Sequence, residues 1–192
     1  MNNSFYSIGE LKQLGLKQYG NNVCISRKAS FYGAESISFG DNVRVDDFCI
    51  LSGRITIGNC VHIAAFSGLF GGDEGIIIND FANISSRVCV YALSDDFSGA
   101  SMTNPMIPDF LKNVCQKRVV ISKHVIIGTG STVLPGVTVG EGAAIGAMSL
   151  VNSDIESWKI CAGIPAKRIK DRGKAILQRE KEYYEYTRKG KK

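Results

Sequence analysis

Ile121-Ser122-Lys123-His124-Val125-Ile126-Ile127-Gly128-Thr129-Gly130-Ser131-Thr132-Val133-Leu134-Pro135-Gly136-Val137-Thr138-Val139 carries an apolar residue at every sixth position. The frame continues to Ile145 and Val151. A second frame runs upstream through Phe39, Val45, Leu51, Ile57, Ile63 and Leu69. A period of six is neither the 3.6 of a helix nor the simple 2 of a strand. It marks a solenoid of short identical rungs. Two residues before each main position stands another apolar or small residue: Ile37, Val43, Cys49, Ile55, Val61 and Ser67, then Val119, Val125, Ser131, Val137, Ala143 and Ser149. Residues two apart in a strand share a face, so both slots point inward.

Three rungs close a triangular coil of 18 residues, which predicts that Ile121 stacks under Val139 and Ile127 under Ile145. Successive coils pair as parallel sheets ~4.8 Å apart. Gly40, Gly58, Gly128, Gly140 and Gly146 follow the main apolar slot, and a positive φ is expected of them as turn formers.

The frame breaks twice. Around Phe70-Gly71-Gly72-Asp73-Glu74-Gly75 it slips by three residues, and residues 93–118, with Pro105 and Pro108, leave it altogether. A loop that long in a compact domain is usually functional. Before the coil, residues 1–20 read as a cap, with Ser7 and Glu10 at capping-box spacing and Leu11, Leu14 and Leu16 to cover the first rung. Residues 21–155 form the solenoid and 156–192 a terminal segment. Residues 168–188 are expected to be helical, with Ile169, Ile176, Leu177 and Tyr184 as an apolar stripe.

Composition narrows the setting. With 192 residues, 44% apolar and 21% charged, the chain has enough for one domain with a full core. Met1–Glu10 has neither the basic flank nor the apolar core of a secretory leader, and no stretch approaches a membrane span. Cys24, Cys49, Cys60, Cys89, Cys115 and Cys161 form no CxxC pair, so they are expected to be small buried hydrophobes in a reducing cytoplasm, without a metal. Residues 167–192 hold 11 Lys/Arg against 4 Asp/Glu. With no nucleic-acid motif on that segment, a role beside a phosphorylated small ligand or a solvated surface is the reading, not nucleic-acid binding.

The hexapeptide pattern resembles the left-handed parallel β-helix acyltransferases. The segment Gly128–Gly140, followed by Ala162-Gly163-Ile164-Pro165-Ala166-Lys167, is similar to the C-terminal half of that superfamily. Left-handed winding is implied by the resemblance alone, since the general rule for parallel crossovers favours the right hand. A closer resemblance, to N-acyltransferases of dTDP-4-amino-4,6-dideoxy sugars, rests on four stretches. These are Asn3-Ser4-Phe5-Tyr6-Ser7, Val43–Gly53, Asp80-Phe81-Ala82-Asn83-Ile84-Ser85-Ser86-Arg87, and Asp95-Asp96-Phe97-Ser98-Gly99. It implies a cytoplasmic homotrimer that moves an acetyl group from acetyl-CoA to the 4-amino group of a dTDP-linked sugar for surface polysaccharide, with coenzyme A between coils and the acceptor between subunits.

On that basis Asp95 is the catalytic candidate that would orient the amine, against a plain turn-forming role shared with Asp96. Ser85 joins it as catalytic. Ser86, Arg87 and Asp96 are expected to bind the acceptor, with Arg87 suited to a diphosphate. Tyr6, with Phe5, would stack on the nucleobase, close a neighbouring subunit's cleft or simply cap the coil. For coenzyme A, Gly128, Gly146 and Ala147 offer backbone N–H groups, one of which would meet the oxyanion. Pro165 would line the same coenzyme A site, and Lys167 and Arg168 after it would face the phosphates. His62 and His124 are the only histidines. No histidine follows Ser94-Asp95-Asp96-Phe97, where hexapeptide O-acetyltransferases commonly carry their base, and this favours an amine acceptor. His62, in an outward slot, is a substrate contact or, in the rival reading, the base of a sugar O-acetyltransferase. His124 is expected at the surface. Against an enzyme of either kind stand a non-catalytic β-solenoid scaffold and a metal trimer, the latter disfavoured by a chain with two histidines.

Overall fold

The computed structural model describes residues 4–189. Asn3 of the first quoted stretch, the start of the cap and residues 190–192 lie outside the described residues.

The first face of the coil stacks Cys24–Ile25, Arg44–Val45, His62–Ile63, Asn83–Ile84, Ile126–Ile127, Ala144–Ile145 and Lys159–Ala162 in sequence order, every pair parallel. The second face holds Ile37–Phe39, Val119–Ile121 and Thr138–Val139, and the third Ser30–Tyr32, Cys89–Tyr91, Thr132–Val133 and Leu150–Val151. Ile50–Ile57 and Gly68–Ile78 bend around the corner between them and join both faces into one sheet. Ile121 pairs with Val139 and Ile127 with Ile145, 18 residues on, as the period requires.

The breaks appear as register jumps. Leu51 pairs with Leu69, 18 residues on, but Ile57 pairs with Ile78, 21 on. Ile78 then pairs with Ile121, 43 residues on, because the long excursion intervenes. Both are inserted without disturbing the inward slots. Ile25, Val45, Ile63, Ile84, Ile127, Val90 and Val133 are all fully buried.

The repeat glycines act differently from expectation. Gly40, Gly58, Gly128, Gly140 and Gly146 do not have positive φ. A Cβ on Gly40 would stand 2.6 Å from Asn59 Oδ1, one on Gly128 2.5 Å from the Ala147 nitrogen, and one on Gly146 2.7 Å from Ala162 Cβ. Glycine sits there because the next coil crosses over it. The left-handed residues of one corner are Asn42, Cys60, Phe81, His124 and Trp158, and of another Phe48, Phe66, Arg87 and Met148, all at φ 55–64°. Such a conformation costs roughly 1–2 kcal/mol per residue, so the ladders and core must hold these corners in place. Asx side chains help at one of them. Asp41 Oδ1 accepts from Asn21 N–H (2.6 Å), Asn59 Oδ1 from Asp41 N–H (2.8 Å) and Asp80 Oδ1 from Asn59 N–H (2.7 Å).

Helix α1 (Ile8–Gln13) caps the first coil with a complete capping box, and Leu11 is buried against the core. The far end departs from the expected helix over 168–188. Lys167–Asp171 is a strand, antiparallel to Lys159–Ala162, and only Ile176–Lys189 is helical (α2). The last coil exposes an unpaired edge, and the chain covers it before turning into α2. Ile169 is consequently exposed rather than part of the stripe. Helix α2 runs back along the corner. Glu180 meets Lys123 and His124, and Tyr183 meets Cys60 and Phe81. Of the cysteines, Cys49 and Cys161 are buried, Cys24, Cys60 and Cys89 partly so, and Cys115 is exposed, so the expectation of burial fails there. No helix among the described residues is long and apolar enough to cross a membrane.

Hydrogen bonds from Arg27 and Ser7 lower the Glu10 carboxyl to about 2. The folded value lies below the ordinary one, so this stabilisation is whole above the ordinary glutamate range and is lost as pH falls toward 2. Glu10→Gln is expected to lower Tm by about 2 °C at pH 7, with the difference from wild type closing at pH 2 in thermal melts.

Candidate active site

The two interruptions of the repeat build one structure. Leu93-Ser94 leaves the coil and pairs antiparallel with Cys115-Gln116 on its return, which clamps the stem of the long loop. The Gln116 side chain accepts from Asp73 N–H (2.8 Å) and donates to Asp73 Oδ2 (3.2 Å), while Arg118 Nε donates to the Glu74 carbonyl (3.1 Å). The small bulge thus fixes the root of the large one.

Between loop and coil lies a cleft of about 720 Å³. Phe70, Tyr91, Leu93, Leu134 and Pro135 form much of its wall, and Ser94, Asp95, Asn104 and Lys112 contribute polar side chains. Phe70 and Tyr91 follow inward Leu69 and Val90, so they project outward, and their rings stack at 4.9 Å and 10°. Sequence reasoning missed these two. The signal was available, as aromatic residues on the outward slot of adjoining coils beside the excursion. Burial, with Cys89 beside it, raises the Tyr91 phenol.

Asp95 is exposed, lines the cleft, and its carboxylate has no partner among the described residues. Asp96 does not line it. Its Oδ1 accepts from Ser98 N–H (2.8 Å), and hydrogen bonds from Ser98 hold its carboxyl below the usual range. It shapes the loop.

Ser85, Ser86 and Arg87 lie elsewhere, at the corner between the first and third faces. The strand Cys89–Tyr91 separates them from the cleft. Register places Ser85 directly beneath Gly128, and Gly128 beneath Gly146, since Ile84, Ile127 and Ile145 are paired. The Gly128 and Gly146 N–H groups are consumed by Ile145 and Cys161 carbonyls (both 2.8 Å) and cannot meet an oxyanion. Ala147 is an exposed residue whose N–H donates to no carbonyl among the described residues, so of the three it alone is uncommitted. Arg87 is exposed, with its guanidinium 5.9 Å from the Phe66 ring centre. The turn at 163–166 docks on the last full coil through Gly163 N–H to Ser149 Oγ (3.0 Å) and Ala166 N–H to Leu150 O (2.7 Å). Pro165 sits in that turn. Lys167 and Arg168 follow, exposed on the edge strand, with Arg168 paired to Asp171 (3.0 Å).

Tyr6 packs against the first coil under Arg27, as a cap would. His124 contradicts its expected exposure. It is 2% exposed, stacked on Phe81, with Nε2 on Glu180 (2.8 Å) and Nδ1 buried without a partner among the described residues. The fold-back of α2 covers it, and no local pattern signals that. No group of three metal-binding side chains occurs among the described residues.

Residues 118–153 match the family model described as bacterial transferase hexapeptide (six repeats). The chain is 49% identical over 174 residues, 89% of it and 90% of the relative, to the dTDP-4-amino-4,6-dideoxy-D-glucose acyltransferase of Escherichia coli. The chain belongs to the hexapeptide-repeat acyltransferases. Its fold is their left-handed parallel β-helix. AntD, an N-acyltransferase from Bacillus cereus, superposes with TM-score 0.95 at 51% identity, over 97% of this chain and 99% of that one, in a complex with dTDP and 3-hydroxybutyryl-CoA. An AntD variant bound to dTDP-4-amino-4,6-dideoxyglucose and coenzyme A matches at TM-score 0.94 and 50% identity, over 97% and 100%. Solved AntD variants alter a serine and an aspartate ten positions apart.

For a hexapeptide-repeat acyltransferase the question is whether a histidine can serve as base. His62 Nε2 lies 2.8 Å from Asp46 Oδ2 and Nδ1 3.1 Å from Asn83 Oδ1. Both ring nitrogens are engaged, so neither is open to an alcohol's proton. Burial pushes the Asp46 carboxyl up, but hydrogen bonds from His62 and Arg44 prevail and hold it low. His62 is a tether between coils. His62→Gln is expected to keep kcat within about tenfold of wild type, whereas loss of a general base costs ~10²–10⁴; steady-state thiol release decides.

Proposed function

We propose that this enzyme transfers an acetyl group from acetyl-CoA to the 4-amino group of dTDP-4-amino-4,6-dideoxy-D-glucose. One observation carries the reading: the cleft presents a free carboxylate, Asp95, and neither of the chain's two histidines. An alcohol needs a base to become a nucleophile, but a neutral amine already has its lone pair. The Asp95 carboxylate accepts from an amine N–H and aims that lone pair at the thioester carbon. The C–N bond forms, the carbonyl oxygen becomes an oxyanion beside the Ala147 N–H, and the C–S bond breaks. The departing thiolate takes the amine's proton, so the products are the amide and free coenzyme A. An oxyanion donor of this kind is worth roughly 10²–10³ in rate.

Ser85 and Asp95 stand ten residues apart, the spacing of the serine and aspartate altered in AntD. Within one chain a whole face divides them. A homotrimer reconciles the two, with Ser85 and the coenzyme A corner of one subunit facing the Asp95 cleft of the next. The surfaces support assembly. Phe48 and Phe66 are 49% and 54% exposed and stacked at 5.0 Å on Ser85's corner, and the loop exposes Phe97 (93%), Met106 (87%) and Phe110 (85%). Apolar patches of this sort mark interfaces. Gly146, Ala147 and Pro165 with Lys167 and Arg168 form the coenzyme A edge. Ser86 and Arg87 face the acceptor's diphosphate. The enzyme works in the cytoplasm, where both substrates are made, and its product is an activated sugar for surface polysaccharide.

Incubation with acetyl-CoA and dTDP-4-amino-4,6-dideoxyglucose is expected to release free thiol in step with acceptor consumed; no release sinks the assignment. Ser85→Ala and Asp95→Asn are each expected to lose ~10²-fold or more in kcat. Trimers reassembled from an equal mixture of the two are expected to recover about a quarter of wild-type activity, since one interface in four then unites intact partners. Recovery of none would place both residues in one subunit's site.

A further inference from the structure

Register stacks Cys49, Ser67, Val88, Ser131 and Ser149 in one inward column, directly after the corner that carries Ser85 and Ala147. The last two hydroxyls of the column converge on a single acceptor. Ser131 Oγ donates to the Gly146 carbonyl (3.0 Å), and Ser149 Oγ lies 2.8 Å from the same oxygen, against 3.4 Å from the Ala147 carbonyl. Each hydroxyl is itself held by a backbone donor. Ser131 Oγ accepts from Ser149 N–H (3.2 Å), and Ser149 Oγ accepts from Gly163 N–H (3.0 Å). Both side chains are buried inside the coil.

The Gly146 carbonyl and the Ala147 N–H belong to one peptide plane. In a trans peptide the two point in opposite directions. Two hydroxyls that draw the oxygen into the coil therefore turn the N–H outward, at an exposed residue and away from every carbonyl among the described residues. The same hydrogen bonds polarise the peptide, which strengthens its N–H as a donor. Glycine clears the other side of this peptide, since a Cβ on Gly128 would stand 2.5 Å from the Ala147 nitrogen and push the plane out of line.

From this arrangement we infer that Ser131 and Ser149 are positioning residues for acyl transfer, holding the Gly146–Ala147 peptide so that its N–H meets the oxyanion formed at the thioester carbon. The inference rests on the reading of Ala147 as the oxyanion donor. It gives two buried hydroxyls a part in the chemistry beyond filling the coil. The column also supplies the means to separate the two roles. Val88 occupies the same slot two coils before Ser149, so a β-branched side chain fits the column. Threonine and valine share that shape and differ by a hydroxyl against a methyl.

The test compares Ser149→Thr with Ser149→Val, and Ser131→Thr with Ser131→Val, in steady-state thiol release from acetyl-CoA with dTDP-4-amino-4,6-dideoxyglucose. Each threonine variant is expected to stay within about threefold of wild-type kcat, and each valine variant to fall about tenfold below its threonine partner, short of the ~10²–10³ that loss of a whole oxyanion donor costs, because one hydroxyl remains on the carbonyl. KM for acetyl-CoA is expected to hold within about threefold, since an interaction made only in the transition state acts on kcat. Cys49→Val removes a thiol from the Ala64 carbonyl (3.2 Å) in the same column. It is expected to leave kcat within about twofold of wild type, as a change remote from the reacting atoms should. Thermal melts show which variants are folded, and either serine position alone decides the comparison. Equal kcat for threonine and valine overturns the inference while leaving the proposed reaction intact. A loss carried by KM alone does the same, as does an equal fall in kcat for Cys49→Val, because packing of the column would then explain the effect. Absence of thiol release by wild type overturns the proposed reaction and the inference together.

Discussion

Everything in this protein depends on coils stacking at sheet spacing. Parallel ladders hold successive turns ~4.8 Å apart, and each residue lies over its equivalent one coil below. Inward slots must be apolar or small, since all of them share one narrow core, and the buried hydroxyls of Ser67, Ser131 and Ser149 each donate to a backbone carbonyl. Where a coil crosses tightly over the one before, no Cβ fits, as Gly40 and Gly128 show. Where the path bends, the backbone is left-handed even at Phe, His and Arg.

That same saturation limits what the coil can do chemically. Most backbone N–H groups on the faces are spent on the neighbouring coil, Gly128 and Gly146 included. Among the described residues, the uncommitted Asp95 carboxylate sits where the ladder is interrupted and the uncommitted Ala147 N–H sits at a corner. The three-residue slip and the long loop interrupt it side by side, are tied together through Asp73 and Gln116, and open a cleft whose Asp95 carboxylate has no partner among the described residues. Ala147 supplies an unspent amide at a corner. A rigid scaffold thus holds a few reactive groups, which is what positioning catalysis requires.

Ends and corners receive separate treatment. The capping box of α1 closes one end, and the edge strand Lys167–Asp171 closes the other. Helix α2 then covers a left-handed corner with Tyr183, Tyr184 and Glu180, which turns His124 from an expected surface residue into a buried one. The excess of basic residues in this segment is partly structural, since Arg172 Nη1 donates to the His124, Gly142 and Ala143 carbonyls (2.9, 3.0 and 3.1 Å).

The six-residue period determined the solenoid, its inward slots, the pairing of Ile121 with Val139, and the location of both interruptions, because stacking imposes the same demand on every coil. The missing histidine after Asp95 pointed to the acceptor class for a similar reason, as absence of a residue type is visible without coordinates. Tertiary structure alone decided why the glycines are there, that Asp96 turns inward on its own loop while Asp95 stays free, that a full face separates Ser85 from Asp95, and that α2 folds back over His124. Those facts depend on which segments meet across long stretches of chain, and a local repeat carries no information about the places where it stops.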